Sequence, residues 1–269
     1  MAPNFGQEST SSPGRLSRVR GGCLKDLALI PMPANTNHRA IPQPGSIEYR
    51  VWRYMNFTKF VSLLTSQSLF FSRADRLGDP FEGSVSKVKE VTQPSMVSTG
   101  EPIQVSSALR SNIRKKMFLS CWHMNKHESV AMWRLYGESN EAIAIQTTYR
   151  ILRENLPETT YLGAVEYMDY SADSFYEGNL FAPFFRKRRS FEHEREVRAL
   201  YSPSFPPDHS VLHEENGHPI KVNLDSLLQS ILVSPLTPDW YYEMVCQVTA
   251  QFGLDKPVHR SKLDDAPLF

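Results

Sequence analysis

The run Arg186-Lys187-Arg188-Arg189-Ser190-Phe191-Glu192-His193-Glu194-Arg195-Glu196-Val197-Arg198-Ala199-Leu200-Tyr201 decides the fold. As a helix it pairs like charges at Glu192 and Glu196 and opposite charges at Glu194 and Arg198, the ordinary pattern of a solvated face with little energetic worth. As a strand, Val197, Ala199 and Tyr201 share one face, while Glu194, Glu196 and Arg198 share the other, roughly 7 Å from one to the next. The apolar residues sort cleanly only in the second reading, which predicts a strand over 194–201. Three charges opposite a core face either meet water or line a cleft, and an adjacent arginine keeps the carboxylates ionised. We read them as lining a cleft.

Outward from this run the chain shows short elements of both kinds. Residues 48–55 are strand-like, and Asn56 caps a helix whose Phe57, Phe60, Val61 and Leu64 recur at helical spacing. Residues 69–73 form a second strand that ends at the turn Leu77-Gly78-Asp79-Pro80. Residues 84–116 lack a sustained period and read as an inserted surface excursion. Further strands are expected at 117–123, 142–147, 165–170, 194–201, 221–224 and 231–234. Ser129 caps a helix over 130–136 closed by Gly137, and a last helix opens at Asp239 with Trp240, Met244, Val245, Val248 and Phe252 at helical spacing. Strands and helices mix without regular alternation, so the expected fold is α+β: one domain over 46–269 whose sheet is mixed, largely antiparallel and possibly split, with flanking helices.

Composition bounds the class. The 269 residues are 41% hydrophobic, enough for a sizeable core, and 30 basic against 29 acidic side chains leave +1, without the field that draws a protein onto nucleic acid or an anionic membrane. No apolar run approaches the roughly 18 residues of a membrane span, and the start lacks the plan of a signal peptide. Cys23, Cys121 and Cys246 are too dispersed for a disulfide framework or a zinc site, which suits a reducing cytoplasm. Residues 1–45 hold six of the 19 prolines, five of the 13 glycines and a single aromatic, Phe5. They are read as a disordered leader, charged +3 against −2 for the remainder.

Two more clusters bear on chemistry. In Gly78-Asp79-Pro80-Phe81-Glu82-Gly83, Asp79 suits an Asx-type turn, and the same loop at a strand end is suited to display a carboxylate and an aromatic pocket wall. In Ser120-Cys121-Trp122-His123 and Met132-Trp133-Arg134-Leu135-Tyr136, the large aromatics read as core. His123 and His127 lie four apart, but His123 ends a strand and no neighbouring Asp or Cys completes a ligand set, so no metal site is assigned.

The series Tyr54 before a helix, Gly78-Asp79-Pro80-Phe81-Glu82, Phe118-Leu119-Ser120-Cys121-Trp122, Met132-Trp133-Arg134-Leu135-Tyr136-Gly137, Val165-Glu166-Tyr167, Lys187 with Phe191, Glu194, Glu196 and Arg198, and Val233-Ser234-Pro235 resembles the bacterial family called domain of unknown function 2971 over roughly residues 47–262. It departs where Gly78 replaces the family's usual Asn and Phe191 its usual Trp. The family name carries no activity. More distantly, the chain is similar to ADP-ribosyltransferases, whose split antiparallel fold has an Arg or His on the first strand, an aromatic or Ser strand, and a Glu on a late strand. That likeness implies Arg53 or Tyr54, Ser72 and Glu196 in those places, with NAD as substrate. A carboxylate beside the ribose would stabilise the oxocarbenium-like transition state as nicotinamide leaves. Arg53 would hold the pyrophosphate, and Phe70, Phe71 or Trp122 would stack the nicotinamide ring.

The expected site thus joins Glu196 and Glu194 as catalytic carboxylates to Arg53, Tyr54, Ser72, Asp79, Trp122, Lys187 and Arg198 around a nucleotide. Two other readings stay open: a non-catalytic module binding a nucleotide or a protein, and a magnesium-dependent nuclease using Asp79, Glu82, Glu194 and Glu196 with Lys187 near the scissile phosphate. Neither a nucleic-acid nor a protein partner is excluded.

Overall fold

In the computed structural model, residues 33–38, 40–84, 107–136, 141–173, 180–203 and 216–263 are described. The first strand, β1 (Arg50–Asn56), is covered on both faces, with Val51 and Met55 on one and Trp52 and Tyr54 on the other. Asn56 then starts α1 (Phe57–Ser66), its side-chain oxygen accepting from the Lys59 amide at 3.0 Å. The helix buries Phe60, Leu63 and Leu64, so Leu63 takes the place expected for Val61, and Gln67 turns the chain in the left-handed region into β2 (Ser68–Arg73). The order continues through α2 (Ser107–Arg114), β3 (Phe118–Met124), α3 (Val130–Tyr136), β4 (Ala142–Thr148), α4 (Tyr149–Asn155), β5 (Thr160–Ala164), β6 (Glu166–Met168), β7 (Arg186–Arg188) and β8 (Glu196–Tyr201). It closes with β9 (Gly217–Lys221), α5 (Leu224–Leu227), β10 (Ser230–Val233), α6 (Asp239–Gln251) and β11 (Val258–Arg260).

The architecture is α+β, as the sequence implies, and residues 31–269 form one compact unit. Nine strands make a sheet that is antiparallel except where β10 meets β11, and β6 and β7 pair separately in parallel. The main core, on the α1, α4 and α6 side, gathers Phe60, Phe71, Phe118, Trp122, Ile143, Tyr149, Val197 and Tyr241. On the other face are two smaller clusters, one around Trp52, Tyr54, Met132 and Trp133, the other around Leu119, Phe184, Phe185 and Leu200.

The feature that positions the site is a fork at β3. One edge of β3 is bonded to β8 from Phe118 through His123. The other edge is shared: β1 pairs only as Val51 with Met124 and Trp52 with His123, and β2 only as Ser72 with Leu119 and Arg73 with Phe118. Continued at the same register, Arg53 and Leu69 would both face Trp122, and Met55 and Phe71 would both face Ser120. Two strands cannot occupy one edge. They splay apart, with α1 joining them, and leave Ser120, Cys121 and Trp122 as the floor of a gap. This is the split that the sequence reading allowed for.

Several expectations need correction. The leader reading fails from Pro33 onward: the Asn35 amide donates to Thr160 O at 2.8 Å, the Ala164 amide to Pro42 O at 2.8 Å, and Tyr149 Oη to the Gln43 side chain at 2.7 Å. Ala34 and Ile41 are buried, and Gly163 lets the segment approach, since a Cβ there would lie 2.2 Å from Ile41 Cγ2. Backbone pairing with the free side of β5 holds this stretch, which a count of aromatics does not detect. Residues 1–32 lie outside the described residues. Of the excursion at 84–116, residues 85–106 also lie outside them, but α2 is helical and its Ile113 packs on the smaller Phe184 cluster. Of the strand expected over 165–170 only β6 forms, the strand expected over 221–224 runs over 217–221 instead, β5, α4, β7, α5 and β11 were not expected, and the Gly137 cap lies outside the described residues. In α6 the buried face is Tyr241, Val245 and Thr249, leaving Trp240 exposed. Among the described residues no helix is long and apolar enough to cross a membrane. Ile41→Ala is expected to cost about 3 kcal/mol in urea unfolding, because it empties a contact made against Gly163 and Phe185. A disordered leader would predict no change.

Candidate active site at the fork of the sheet

A cavity of about 600 Å³ opens at the fork, and every residue proposed from the sequence lines it: Arg53, Tyr54, Ser72, Asp79, Trp122, Lys187, Glu194, Glu196 and Arg198. The strands bring them together from both sides of the gap. Arg53 bridges it, its Nη2 donating to Phe70 O on β2 at 2.7 Å and its Nη1 to Ser120 Oγ on β3 at 2.9 Å. The guanidinium thus does locally what a ladder of backbone bonds does elsewhere. Burial works against its charge, and among the described residues no carboxylate pairs with it.

Against the wall formed by β8 and β7 lies a dense charge network. Arg198, 0% exposed, donates to both oxygens of Glu82 at 2.6 and 2.7 Å, to Glu196 at 2.5 Å and to Phe184 O at 2.7 Å. Lys187 Nζ lies 2.6 Å from Glu196 Oε1 and 2.7 Å from Glu194 Oε2. Asp79 accepts its own loop's Phe81 amide at 3.0 Å, which is the expected Asx turn, and also takes Arg188 Nη2 at 2.8 Å. The left-handed Gly83 closes the turn against Phe184, where any Cβ would clash. Phe191 lies under Lys187 and Arg188, with ring centroids 4.6 and 5.2 Å away.

Four carboxylates face three cations here, and the surplus charge settles on Glu194. Burial, the shared hydrogen bond with Glu196 and that residue's charge push Glu194 up to about 7, against the pull of Lys187. Burial opposes the ionisation of Glu196 as well, but Arg198, the Glu194 bond and Lys187 outweigh it and hold Glu196 well below the usual carboxylate range. A proton on Glu194 leaves three negative and three positive charges in a low-dielectric wall. Lys187 is raised, its carboxylate partners outweighing burial. Two carboxylates with such divergent titration, in one cleft, are the usual setting for acid and base roles.

The geometry also departs from the sequence reading. Glu194 is not on the strand: it ends a 3₁₀ turn over Arg189–Glu194, and β8 begins only at Glu196. Arg195 between them is left-handed, with φ of 41°, and this turn brings the Glu194 carboxyl back onto Glu196 and Lys187. Phe71 and Trp122 do not present a stacking face, since both are sealed in the main core and Trp122 Nε1 is tied to Ser120 Oγ. Phe70, 48% exposed along the cavity, is the ring left for that role. Trp133 is core as expected, but Tyr136 is not fully buried. Tyr54 is pinned by the Ser129 amide and edge-packed on Trp133. Ser72 lies on β2 opposite Leu119.

The sequence reading missed Tyr167, whose hydroxyl accepts from the Glu196 amide at 2.7 Å, and Arg188 as the partner of Asp79. Nothing local marks either. Among the described residues no group of three His, Cys, Asp or Glu is placed to hold a metal ion, because Asp79, Glu82, Glu194 and Glu196 are each turned onto a cation.

No family model matches the chain, and no curated protein matches it. The similar solved structures include DarT from Thermus sp. 2.9 in complex with NAD+, with a TM-score of 0.40, 7% identity, and coverage of 82% of this chain and 98% of that one. Its complex with carba-NAD+ gives 0.39, 7%, 81% and 97%, and its complex with ADP-ribosylated ssDNA gives 0.39, 8%, 82% and 97%. Similarity at that level decides neither relationship nor activity, and the functional reading rests on the site's own residues.

Two outcomes follow from the network. Glu82→Gln is expected to destabilise the protein by about 3 kcal/mol in urea unfolding, because it removes the buried carboxylate that takes both terminal nitrogens of Arg198 and leaves Glu196 as that guanidinium's remaining anionic partner. Glu194 carries a pH dependence of its own. From the ordinary carboxylate range up to about pH 7 the folded chain keeps a proton that the unfolded chain has lost, so stability falls as pH rises through that window. Glu196 acts oppositely, and its contribution is lost as pH falls below the ordinary range. Glu194→Gln keeps a donor and cannot ionise. Thermal melts should show it gaining on the wild type by on the order of 2 kcal/mol between about pH 5 and 8.

Proposed function

We propose that the chain binds NAD or a closely related nucleotide in the fork and cleaves the bond between nicotinamide and ribose. A single observation carries this reading: one cavity sets Arg53, a guanidinium that among the described residues has no carboxylate partner, across from an ionised carboxylate held by two cations, Glu196. Its volume, about 600 Å³, falls in the usual range for small-molecule sites. In this reading Arg53 takes the pyrophosphate, a charge-assisted and bidentate interaction for which its fork geometry is suited. Phe70 offers a ring to the base, with Ser72 beside it.

Glu196 supplies the electrostatics. As the glycosidic bond lengthens, positive charge builds on the ribose, and a fixed anion at that point lowers the barrier without reorganising. Lys187 and Arg198 guarantee that Glu196 is ionised and hold both of its oxygens in place, leaving their remaining lone pairs for a ribose hydroxyl. Glu194, pushed up to about 7 by burial and by Glu196, carries only part of a competing charge near neutrality. With water as acceptor the products are ADP-ribose and nicotinamide; a hydroxyl or amine of a protein or nucleic acid in its place makes the reaction a transfer.

One observation favours a second reading. Both Glu196 oxygens already bond cations at 2.6 and 2.5 Å, and a carboxylate so neutralised suits a pocket that binds a nucleotide without turnover. Calorimetry with NAD, together with nicotinamide release by the purified protein, separates the two. Turnover by the wild type should fall by about 10²-fold or more in Glu196→Gln with binding retained, while Arg53→Ala should weaken binding by about tenfold or more. Binding without release would establish the non-catalytic module. Neither binding nor release would sink the nucleotide reading altogether.

A further inference from the structure

His123 lines the same cavity and has no role in the scheme so far. It stands on β3 directly across from Glu196 on β8, so the two side chains emerge as neighbours on one face of the sheet. Its Nδ1 lies 2.7 Å from the Glu194 carbonyl oxygen, which can only accept. The ring proton therefore sits on Nδ1, and Nε2 carries the lone pair. The residue is 2% exposed, and Nε2 is buried with no hydrogen-bond partner among the described residues. The nearby Tyr54 hydroxyl accepts from the Ser129 amide and makes no hydrogen bond to Nε2. A buried acceptor without a donor is costly, and the fold keeps one beside its reactive carboxylate.

We propose that His123 Nε2 is the general base of the reaction set out above: it accepts a hydrogen bond from a water molecule beside Glu196 and removes the proton as that water attacks the ribose. The inference rests on the nucleotide-cleaving reading. In the step, the water oxygen forms a bond to the ribose anomeric carbon, and the bond from that carbon to the pyridinium nitrogen breaks. The bonding pair leaves with nicotinamide, which departs neutral, and the water's proton passes to Nε2. The imidazolium so formed keeps its Nδ1–H on Glu194 O. Around the ring, Arg195 and His193 are the charged groups that act on it, the Glu194 carbonyl holds Nδ1, and Tyr54 closes the β1 side. Burial, reinforced by Arg195 and His193, holds the imidazole below its usual value, so it is neutral and able to take a proton near pH 7.

His123→Asn is the informative variant. Its amide nitrogen can stand in for Nδ1 and keep the bond to Glu194 O, while nothing replaces Nε2. The variant should melt like the wild type and bind NAD with unchanged Kd. Its kcat for nicotinamide release should fall by about 10²-fold or more, and the acid limb of the pH–rate profile should disappear. An undiminished kcat, a loss confined to KM, or an acid limb that persists and so belongs to another group such as Glu194, overturns the base while leaving nucleotide cleavage intact. Absence of release from the wild type overturns both. Should the variant not fold, nitrogen NMR of the wild-type imidazole decides: the Nδ1–H tautomer near neutrality is required, and an Nε2–H tautomer overturns the assignment.

Discussion

A guanidinium removed entirely from water must find an acceptor for nearly every N–H it carries, and the fold around β8 is organised by that demand. Arg198 draws Glu82 from the loop after β2, the Phe184 carbonyl from the turn before β7, and Glu196 from its own strand. Glu196 in turn fixes Lys187 on β7, and Lys187 fixes Glu194. Segments more than a hundred residues apart are thereby placed to within hydrogen-bonding distance of one another. A network of this kind contributes little net stability compared with apolar packing of the same volume. What it supplies is position and a set of coupled proton affinities.

The fork supplies the other half of the site. Because β1 and β2 compete for one edge of β3, the sheet opens where three residues of β3 have no strand partner on that side. The cavity passes through this opening. It is accordingly lined by α1 on one side of the sheet and by the charged wall on the other. A cleft at the sheet's surface would reach one layer only.

What the sequence disclosed and what it withheld divide along physical lines. The alternation of Val197 and Ala199 against Glu196 and Arg198 is a local, two-residue period, and it sufficed to assign the strand and the side that carries charge. The Asx turn at Asp79 and the cap at Asn56 are equally local. Glu194 was misplaced because the left-handed residue that ends its turn is an arginine, and nothing in the residue type announces positive φ. The partners of Arg198 and Asp79 lie 116 and 109 residues away, separations over which one sequence carries no pairing information. Trp122 and Phe71 were stacking candidates only through the resemblance to ADP-ribosyltransferases, whereas the residues themselves marked Trp122 as core, and their side of the sheet consigns both to it.

The Arg53 bond to Phe70 O has a consequence for recognition. The guanidinium is engaged before any anion arrives, and its acceptor is a main-chain carbonyl on the strand that borders the gap. An anion claiming that N–H makes an exchange rather than an addition, so the affinity it gains is the difference between two acceptors. A phosphate, with its full charge, wins such an exchange; a neutral ligand does not. The displaced carbonyl must then be rehydrated or find a donor on the incoming molecule. Selectivity at this position is therefore set by competition with the protein's own backbone, and it discriminates by charge before it discriminates by shape.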